Sequence, residues 1–222
     1  MQQRYTTISC LIIFDTNFHA IIGEFTTKIA EKYSVKSIIG IDIDSVLIQR
    51  ADDRLVHLTQ RILKTQYSIS SFLPRALALK SDPKEEKKGT SYPNSIKFKC
   101  VNIMESDFGV VRELIEEPKD VVICLSVTKW VHLNSGDDAL LSFFKRLWNL
   151  LLPGGLLILE YQAWASYVNN RKKSERIQAV FPLLKIRPEN FEHILSVDMN
   201  FVVEVGEMCF IFTSNVMIKF IF

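Results

Sequence analysis

Short apolar segments alternate with longer amphipathic segments along most of the chain. Three segments rich in Ile, Val and Leu have the length and continuous apolar character of strands that are buried on both faces: Ser37–Ile41, Asp120–Leu125 and Leu156–Glu160. Three longer segments show the spacing of helices with one apolar face: Glu24–Tyr33, Val46–Tyr67 and Asp137–Leu152. This alternation predicts βαβ units and therefore a doubly wound α/β fold with a mainly parallel sheet.

Further segments extend the predicted sheet. Ile96–Val101 alternates polar and apolar residues, as a strand does, and Phe201–Glu204 and Met208–Phe212 are candidates for antiparallel strands that close the sheet. The residues Pro153-Gly154-Gly155 separate a predicted helix from a predicted strand. We expect them to form a structural turn, because proline cannot continue a helix and glycine readily takes the left-handed conformation that ends one.

The composition fits a single globular domain over residues 1–222. Hydrophobic residues make up 48% of the 222 residues, which suits one sizeable core rather than two. The net charge of +2 is far from that of a strongly basic nucleic-acid binder, so any contact with a nucleic acid must be local. The stretch 80–95 concentrates charge, proline and glycine and is predicted to be a flexible, solvated loop, with a basic arm that touches RNA as the alternative.

The cysteines and the N-terminal apolar run bear on the compartment. The four cysteines lie far apart and form no C-x-x-C pair, which predicts reduced thiols in an intracellular protein and no zinc or other metal site: Cys10, Cys100, Cys124 and Cys209. The apolar run Ile8–Phe14 is too short to span a bilayer and leads into polar residues. We therefore expect a soluble protein of the nucleus or cytoplasm, without a signal peptide and without a membrane partner.

A buried strand that ends in a carboxylate is the sharpest local feature. The segment Ile38–Asp44 reads IIGIDID and leads into a predicted helix. Ligands of open α/β sheets bind beyond the carboxyl ends of the strands, where an acid can accept both hydroxyls of a ribose, so Asp42 is the candidate ribose ligand. Asp44 is a candidate helix cap, and the alternative is that both acids are caps.

Other residues near the predicted strand ends are candidates for contacts with a nucleoside. Gly23 opens a helix where backbone could approach a cofactor. Asn102 and Ile103 follow a strand and could present an amide side chain and a backbone amide to an adenine edge, although Asn102 could equally form a turn. Leu125 ends the next strand, where it either faces the cofactor or belongs to the core.

Three further motifs give the chain a resemblance to a known family. They are DVVICLSVTKWVHLN over Asp120–Asn134, LLPGGLLILE over Leu151–Glu160 and QAWASY over Gln162–Tyr167. Together with GIDID they resemble the methylphosphate capping enzymes, also called the bicoid-interacting methyltransferases, over about Ile22 to Phe201.

The resemblance implies a fold, a cofactor and a substrate. The fold would be a seven-stranded sheet of the class I methyltransferase type, and the cofactor would be S-adenosyl-L-methionine. The family's cofactor residues correspond by motif to Asp42, Ile43, Asn102, Ile103 and Leu125. The substrate implied is the 5′ phosphate of a small noncoding RNA, and an RNA-binding protein is a candidate partner.

The same resemblance suggests which residues would act on the RNA. Lys129 and His132 would lie near the phosphate, and Arg171, Lys172 and Lys173 would contact the RNA backbone. The aromatic residues Trp130, Trp164 and Tyr167 could stack on the terminal base. The alternatives are that the two tryptophans only pack, that His132 only orients its loop and that the basic run is a solvated helix start.

The N-terminal part departs from the family pattern. The family has a glycine-rich turn after its first strand, whereas this chain has His19-Ala20-Ile21-Ile22-Gly23 there and is expected to have an atypical or truncated N-terminus. Two alternatives to the RNA methyltransferase follow. One is a catalytically impaired module of the same fold that binds RNA or protein, and the other is a small-molecule methyltransferase with an apolar acceptor pocket. A nicotinamide-dependent dehydrogenase is disfavoured, because no G-x-G-x-x-G follows a first strand.

Overall fold

A computed structural model describes residues 8–13, 22–33, 35–70, 95–116, 118–206 and 217–221. The seven strands are β1 (Ile8–Ile13), β2 (Val35–Asp42), β3 (Ile96–Cys100), β4 (Lys119–Leu125), β5 (Leu151–Glu160), β6 (Val202–Gly206) and β7 (Met217–Ile221). The main helices are α1 (Ile22–Lys32), α2 (Ser45–Ser70), α3 (Phe108–Ile115), α4 (Thr128–Asn149), α5 (Trp164–Asn170) and α6 (Glu175–Val180). Short helical turns follow at Phe181–Leu183, Pro188–Asn190, Phe191–His193 and Ile194–Asp198.

The strands form one sheet in the order β3-β2-β1-β4-β5-β7-β6. The first five are parallel, β7 runs antiparallel to β5, and β6 runs antiparallel to β7. Helices cover both faces, so the predicted doubly wound, mainly parallel sheet is confirmed. The prediction of one domain over the whole chain stays a prediction.

The central strand shows how the two faces are filled. Leu11 and Ile13 of β1 point into a core layer that includes Leu140, Phe143 and other residues of α3 and α4. Cys10 and Ile12 point into the opposite layer, against α1 and α2. These four side chains of β1 are at most 3% exposed, because a central parallel strand is covered on both faces.

Two of the predicted reduced cysteines are buried free thiols. Cys10 and Cys124 are buried, and burial raises the pKa of the Cys10 thiol to about 12, so both thiols stay protonated in the core. Cys100 is also free but exposed, and Cys209 lies outside the described residues. Within the described ranges, no helix has the combined length and apolar character needed to span a membrane.

Two predicted boundaries need correction. The predicted helix Asp137–Leu152 instead ends at Asn149 and begins earlier, at Thr128, with a break at Gly136, where φ is 82°. The predicted turn at Pro153–Gly155 lies inside β5, where the pairing with β4 shifts register. A Cβ atom on Gly155 would lie 2.7 Å from the carbonyl oxygen of Leu152, so only glycine allows this local path of the backbone.

The closing strands agree with the prediction in part. Strand β6 overlaps the predicted segment Phe201–Glu204 but begins and ends later, whereas the predicted strand Met208–Phe212 lies outside the described residues. The strand that pairs with both β5 and β6 is Met217–Ile221, which the sequence pattern did not indicate. The charged stretch 80–95 also lies outside the described residues, apart from the buried Ser95.

Candidate functional site

A cavity of about 560 Å³ opens at the carboxyl ends of β2 and β3, beside the start of α4. Its size falls within the range of about 300 to 1,000 Å³ that is usual for small-molecule and cofactor sites. The residues that line it are Ile13, Ile41, Asp42, Ile43, Val101, Asn102, Ile103, Met104, Val127, Trp130, Val131, Asn134, Ser135 and Arg176. Four of the six predicted cofactor residues are therefore in the cavity wall.

The two acids after β2 have different surroundings. Asp42 is 1% exposed and lines the cavity, and its Oδ1 accepts a hydrogen bond of 2.8 Å from the backbone amide of Asp44. The Oδ1 atom of Asp44 accepts a bond of the same length from the backbone amide of Val46, at the start of α2. Asp44 is therefore the cap of the helix, and Asp42 is the acid that belongs to the cavity.

Two isoleucines give the cavity apolar surface on either side of the strand ends. Ile43 follows Asp42 and is 60% exposed, although it is a large aliphatic residue. Ile103 is 6% exposed and follows β3. An exposed aliphatic side chain in a concave site is a suitable contact for a flat apolar ring.

The loop after β3 is fixed by hydrogen bonds to its own backbone and to α4. The side-chain Oδ1 of Asn102 accepts a bond of 3.0 Å from the amide of Met104, so Asn102 forms the turn that was its alternative role. Arg146 of α4 donates from one guanidinium nitrogen to the carbonyl oxygens of Ile103 and Glu105, at 2.9 and 2.5 Å. Arg146 was not identified from sequence, and it holds the loop that forms this wall of the cavity.

Gly23 and Leu125 lie outside the lining of the cavity. A Cβ atom on Gly23 would be 3.3 Å from Cδ of Arg54 and 3.5 Å from Cα of Ala51, so this glycine lies at the contact of α1 with α2. Leu125 is 8% exposed and packs with Ile12 and other core residues. The structure favours the core alternative for Leu125, and contact of either residue with a cofactor stays a prediction.

Lys129, Trp130 and Lys173 come together at the start of α4. The Lys129 ammonium donates to Oγ of Ser166 at 3.1 Å and lies 4.5 Å from the centroid of the Trp130 ring. The Lys173 ammonium lies 4.3 Å from the same centroid. Lys129 is only 7% exposed, while Trp130 lines the cavity, so two positive charges flank one wall of the site.

His132 faces the interior rather than the cavity. It is fully buried, its Nε2 lies 2.7 Å from Oδ1 of Asp137, and its ring is 5.6 Å from that of Tyr167. Burial lowers the pKa of His132 below its ordinary value, which keeps the ring neutral near pH 7. The structure therefore favours the alternative in which His132 orients its surroundings over direct contact with a phosphate.

Trp164 and Tyr167 form a stack instead of an open platform. Their ring centroids are 5.0 Å apart with an interplanar angle of 22°, and Phe181 stacks on Trp164 at 5.3 Å. Tyr167 is fully buried, and this burial raises the pKa of its hydroxyl. Stacking of Tyr167 on a base is not compatible with this packing, and the guanidinium of Arg187 lies 3.5 Å from the Trp164 centroid.

The predicted basic run forms an exposed turn between α5 and α6. Arg171, Lys172 and Lys173 are all exposed, and Arg171 donates to the carbonyl oxygen of Val168 at 2.6 Å. The run is therefore at the end of a helix rather than at the start of one. Sequence reasoning did not identify Arg176, which follows on α6 and lines the cavity.

A strained residue joins the ends of β4 and β5. Ser126 has a φ of 62°, in the left-handed region, and its hydroxyl donates to Oε2 of Glu160 at 2.8 Å. Both residues are buried. Such conformations concentrate at functional sites, and this one directs the chain from β4 into the segment that contains Lys129.

Curated relatives and solved structures match the chain over most of its length. A probable RNA methyltransferase of Arabidopsis thaliana is 35% identical over 185 residues, which cover 78% of this chain and 57% of the relative. The U6 snRNA methylphosphate capping enzyme Amus of Drosophila melanogaster is 35% identical over 181 residues, which cover 81% of this chain and 51% of the relative. The chain thus spans a little more than half the length of these two relatives.

The fold is that of class I methyltransferases. The N-methyltransferase NodS from Bradyrhizobium japonicum WM9 superposes with a TM-score of 0.51 over 97% of this chain and 86% of that structure, at 14% sequence identity. At this level of identity the likeness concerns the fold alone. Residues 119–208, which run from β4 through β6 and contain the cluster around Trp130, match the Bicoid-interacting protein 3 (Bin3) family, so the chain carries a Bin3-family domain.

Proposed function

We propose that this chain is an S-adenosyl-L-methionine-dependent methyltransferase that acts on the 5′ phosphate of a small noncoding RNA. The observation that carries the proposal is the position of Asp42, a buried acid at the end of β2 in the wall of a cavity of about 560 Å³. The similarity to a methylphosphate capping enzyme supports the choice of an RNA 5′ phosphate as the acceptor.

The cavity residues fit the chemical parts of the cofactor. The carboxylate of Asp42 would accept hydrogen bonds from the ribose hydroxyls. Ile43 and Ile103 offer apolar surface for the adenine ring, and the backbone amide of Ile103, in the loop held by Arg146, would donate to its edge. Gly23 and Leu125 remain proposed contacts at the other end of the cofactor.

The chain needs to supply position and charge rather than a general base. When bound, the cofactor supplies a methyl group that is activated by a positively charged sulfur. A phosphate oxygen is already anionic, so no side chain has to remove a proton from it. Lys129, fixed by its bond to Ser166, would hold the phosphate and screen its charge.

The first test is calorimetric titration with S-adenosyl-L-homocysteine. Asp42→Asn removes the charge that would bind the ribose, and we expect it to weaken binding at least about tenfold, the effect of losing a hydrogen bond to a charged group. Asp44→Asn is the matched control, because Asn also caps helices and the side chain of Asp44 accepts its hydrogen bond from the start of α2. Equal affinity of the two variants would contradict the role of Asp42.

The second test separates the acceptor from the cofactor. Transfer of a labelled methyl group would be measured on one RNA sequence that carries either a 5′ monophosphate or a 5′ hydroxyl. We expect transfer only to the phosphorylated RNA. Cofactor binding without transfer to either RNA would contradict the proposed acceptor and favour the alternative of a small-molecule methyltransferase.

A module without catalysis is the alternative. The departure from the family pattern at residues 19–23 favours it, although most of that segment lies outside the described residues. A folded chain that binds no S-adenosyl-L-homocysteine would support this alternative. We also propose an RNA-binding protein as a partner, both for the active enzyme and for a module without catalysis. Binding of such a protein would be tested with the wild-type chain.

A further inference from the structure

Three cations near the cavity are held in place by groups that carry no charge. Lys173 lies over the ring of Trp130, and the guanidinium carbon of Arg187 lies 3.5 Å from the centroid of Trp164. Arg176 donates from Nε to the carbonyl oxygen of Asn134 at 2.6 Å. We call Lys173, Arg176 and Arg187 the cationic rim.

The rim surrounds one small hydrophobic cluster. Leu133, Tyr167, Ile177 and Leu184 form this cluster, and Trp130 and Trp164 pack against it. Each rim cation lies on one of the tryptophans or on α6, next to Ile177. The three charges are therefore attached to a single packed unit beside the cavity.

Several cations elsewhere in the protein are paired with a carboxylate. Lys28 contacts Glu24 at 2.7 Å, and both Lys97 and Lys99 contact Glu116 at 2.9 Å. In the part of the chain that the structure describes, no carboxylate oxygen lies within 4.0 Å of a rim nitrogen. Positive charges that are positioned but not neutralised form a receptor for anions.

The groups that cover the ring of Trp164 indicate which part of an RNA the rim recognises. A guanidinium at 3.5 Å covers one face of the Trp164 indole, and Phe181 and Tyr167 also stack on this ring. A base could stack on the covered face only after displacing Arg187. On this face Trp164 therefore presents a cation outward instead of aromatic surface. Contacts of arginine and lysine with phosphates position a nucleic acid but carry no sequence information.

We propose that the cationic rim binds the phosphodiester backbone of the single-stranded nucleotides that follow the 5′ end, without reading their sequence. This proposal rests on RNA being the substrate, as proposed above. It adds Arg176 and Arg187 to the predicted RNA contacts and replaces base stacking on Trp164 with phosphate binding. Methyl transfer itself is not part of it.

Salt dependence of RNA binding tests the proposal. The full chain would be titrated by fluorescence anisotropy with a ten-nucleotide single-stranded RNA that carries a 5′ hydroxyl, which isolates the backbone from the terminal phosphate. For single strands each neutralised phosphate contributes a slope of about −0.7 in a plot of log affinity against log salt concentration. We expect Arg176→Gln and Arg187→Gln each to reduce the magnitude of the slope by about 0.7. The loss of affinity caused by each substitution should therefore be about fivefold larger at 0.1 M salt than at 1 M salt.

Matched variants make the result specific. Arg176→Lys and Arg187→Lys keep the charge and are expected to keep most of the slope, and Arg112→Gln removes an exposed arginine of α3 and should leave the slope unchanged. A uridine-only RNA and a mixed-sequence RNA are expected to give the same losses. Circular dichroism confirms that each variant is folded.

Several results would overturn the proposal. They are an unchanged slope in both glutamine variants, a loss of affinity that depends on base sequence, an effect seen only with 5′-phosphorylated RNA, and no RNA binding by the folded wild-type chain. Failure of methyl transfer tests the proposed function and does not test the rim. A chain that transfers no methyl group but shows the expected slopes would contradict the proposed function and support the rim.

Discussion

The Nε2 atom of His132 lies 2.7 Å from Oδ1 of Asp137, and this pair connects the two parts of α4 across the break at Gly136. The other carboxylate oxygen of Asp137 accepts a hydrogen bond of 2.9 Å from the backbone amide of Lys185. One carboxylate thus ties the first turns of α4 to the segment that carries Arg187. The pair stabilises the wall of the site and does not contact the cavity.

Removal of the Asp137 carboxylate is expected to destabilise the protein. Asp137→Ala leaves the buried ring nitrogen of His132 and the amide of Lys185 without this acceptor, at a cost of about 2 to 4 kcal/mol for the two groups. Urea unfolding followed by circular dichroism measures the change. Asp138→Ala, at the exposed neighbouring position, is expected to change the free energy of unfolding by no more than about 0.5 kcal/mol. Similar losses in both variants would argue against the pair as a clamp.

The same pair predicts a loss of stability at mildly acidic pH. Burial lowers the pKa of His132, although the bond to Asp137 opposes this shift. Burial would raise the pKa of Asp137, but bonds from His132 and the amides of Lys185 and Ile186 outweigh it and lower the pKa. For both groups the unfolded state binds more protons at acidic pH, so their contribution to stability is complete above the ordinary pKa and is lost as pH falls through the folded value.

For His132 this loss begins below about pH 6.5, the ordinary pKa of histidine. We expect the free energy of unfolding to be constant between about pH 7 and 8 and to decrease from about pH 6.5 to 5. His132→Gln can still donate to Asp137 but does not titrate, so it should flatten this decrease. A variant curve that is parallel to the wild-type curve would show that another group is responsible.

Strands were predicted correctly where the burial of the strand determines the residue types within that strand. Strands β2 and β4 are buried on both faces and therefore read as continuous apolar runs. The first part of α4 was missed because Thr128, Lys129 and His132 are polar but buried, which interrupts the apolar period of the helix. Strand β7 was missed because its place depends on pairing with β5, about 60 residues earlier, and not on a local pattern.

The candidate site was predicted to a similar extent. Asp42 could be found because the acid at the end of a buried strand is a local feature with a known structural meaning. Arg146 and Arg176 could not, because their acceptors Ile103 and Asn134 lie 43 and 42 residues away in the sequence. An arginine on a helix gives no local sign of which loop it will hold.

Arg146 is expected to act as a positioning residue for cofactor binding. Arg146→Gln removes the bonds to the carbonyl oxygens of Ile103 and Glu105, which fix the loop in the cavity wall. We expect the dissociation constant for S-adenosyl-L-homocysteine to increase about tenfold, the equivalent of about 1.4 kcal/mol, while the fold is retained. Lys145→Gln changes the adjacent exposed position and serves as the control. Unchanged affinity in Arg146→Gln would show that the loop holds its shape without this arginine.

Lys129 is expected to affect transfer rather than cofactor binding. Its ammonium is fixed between Ser166 and the Trp130 ring, beside the cavity but outside its lining. A preorganised charge of this kind contributes to the rate by about 100-fold or more, so Lys129→Met should lower the rate of methyl transfer to 5′-phosphorylated RNA by that factor. Its affinity for S-adenosyl-L-homocysteine should stay within about twofold of the wild type, because no cofactor contact is removed.

Two further variants separate charge from packing at this position. Lys129→Arg keeps the positive charge and should retain a larger part of the rate than Lys129→Met. If the lysine had only a structural role, both variants would lower the rate of methyl transfer by a similar factor. Lys32→Met, at the exposed end of α1, controls for the loss of one positive charge from the chain. If Lys129→Met lowers cofactor affinity and transfer by the same factor, the lysine acts through the shape of the cavity, and the phosphate must be held by other cations.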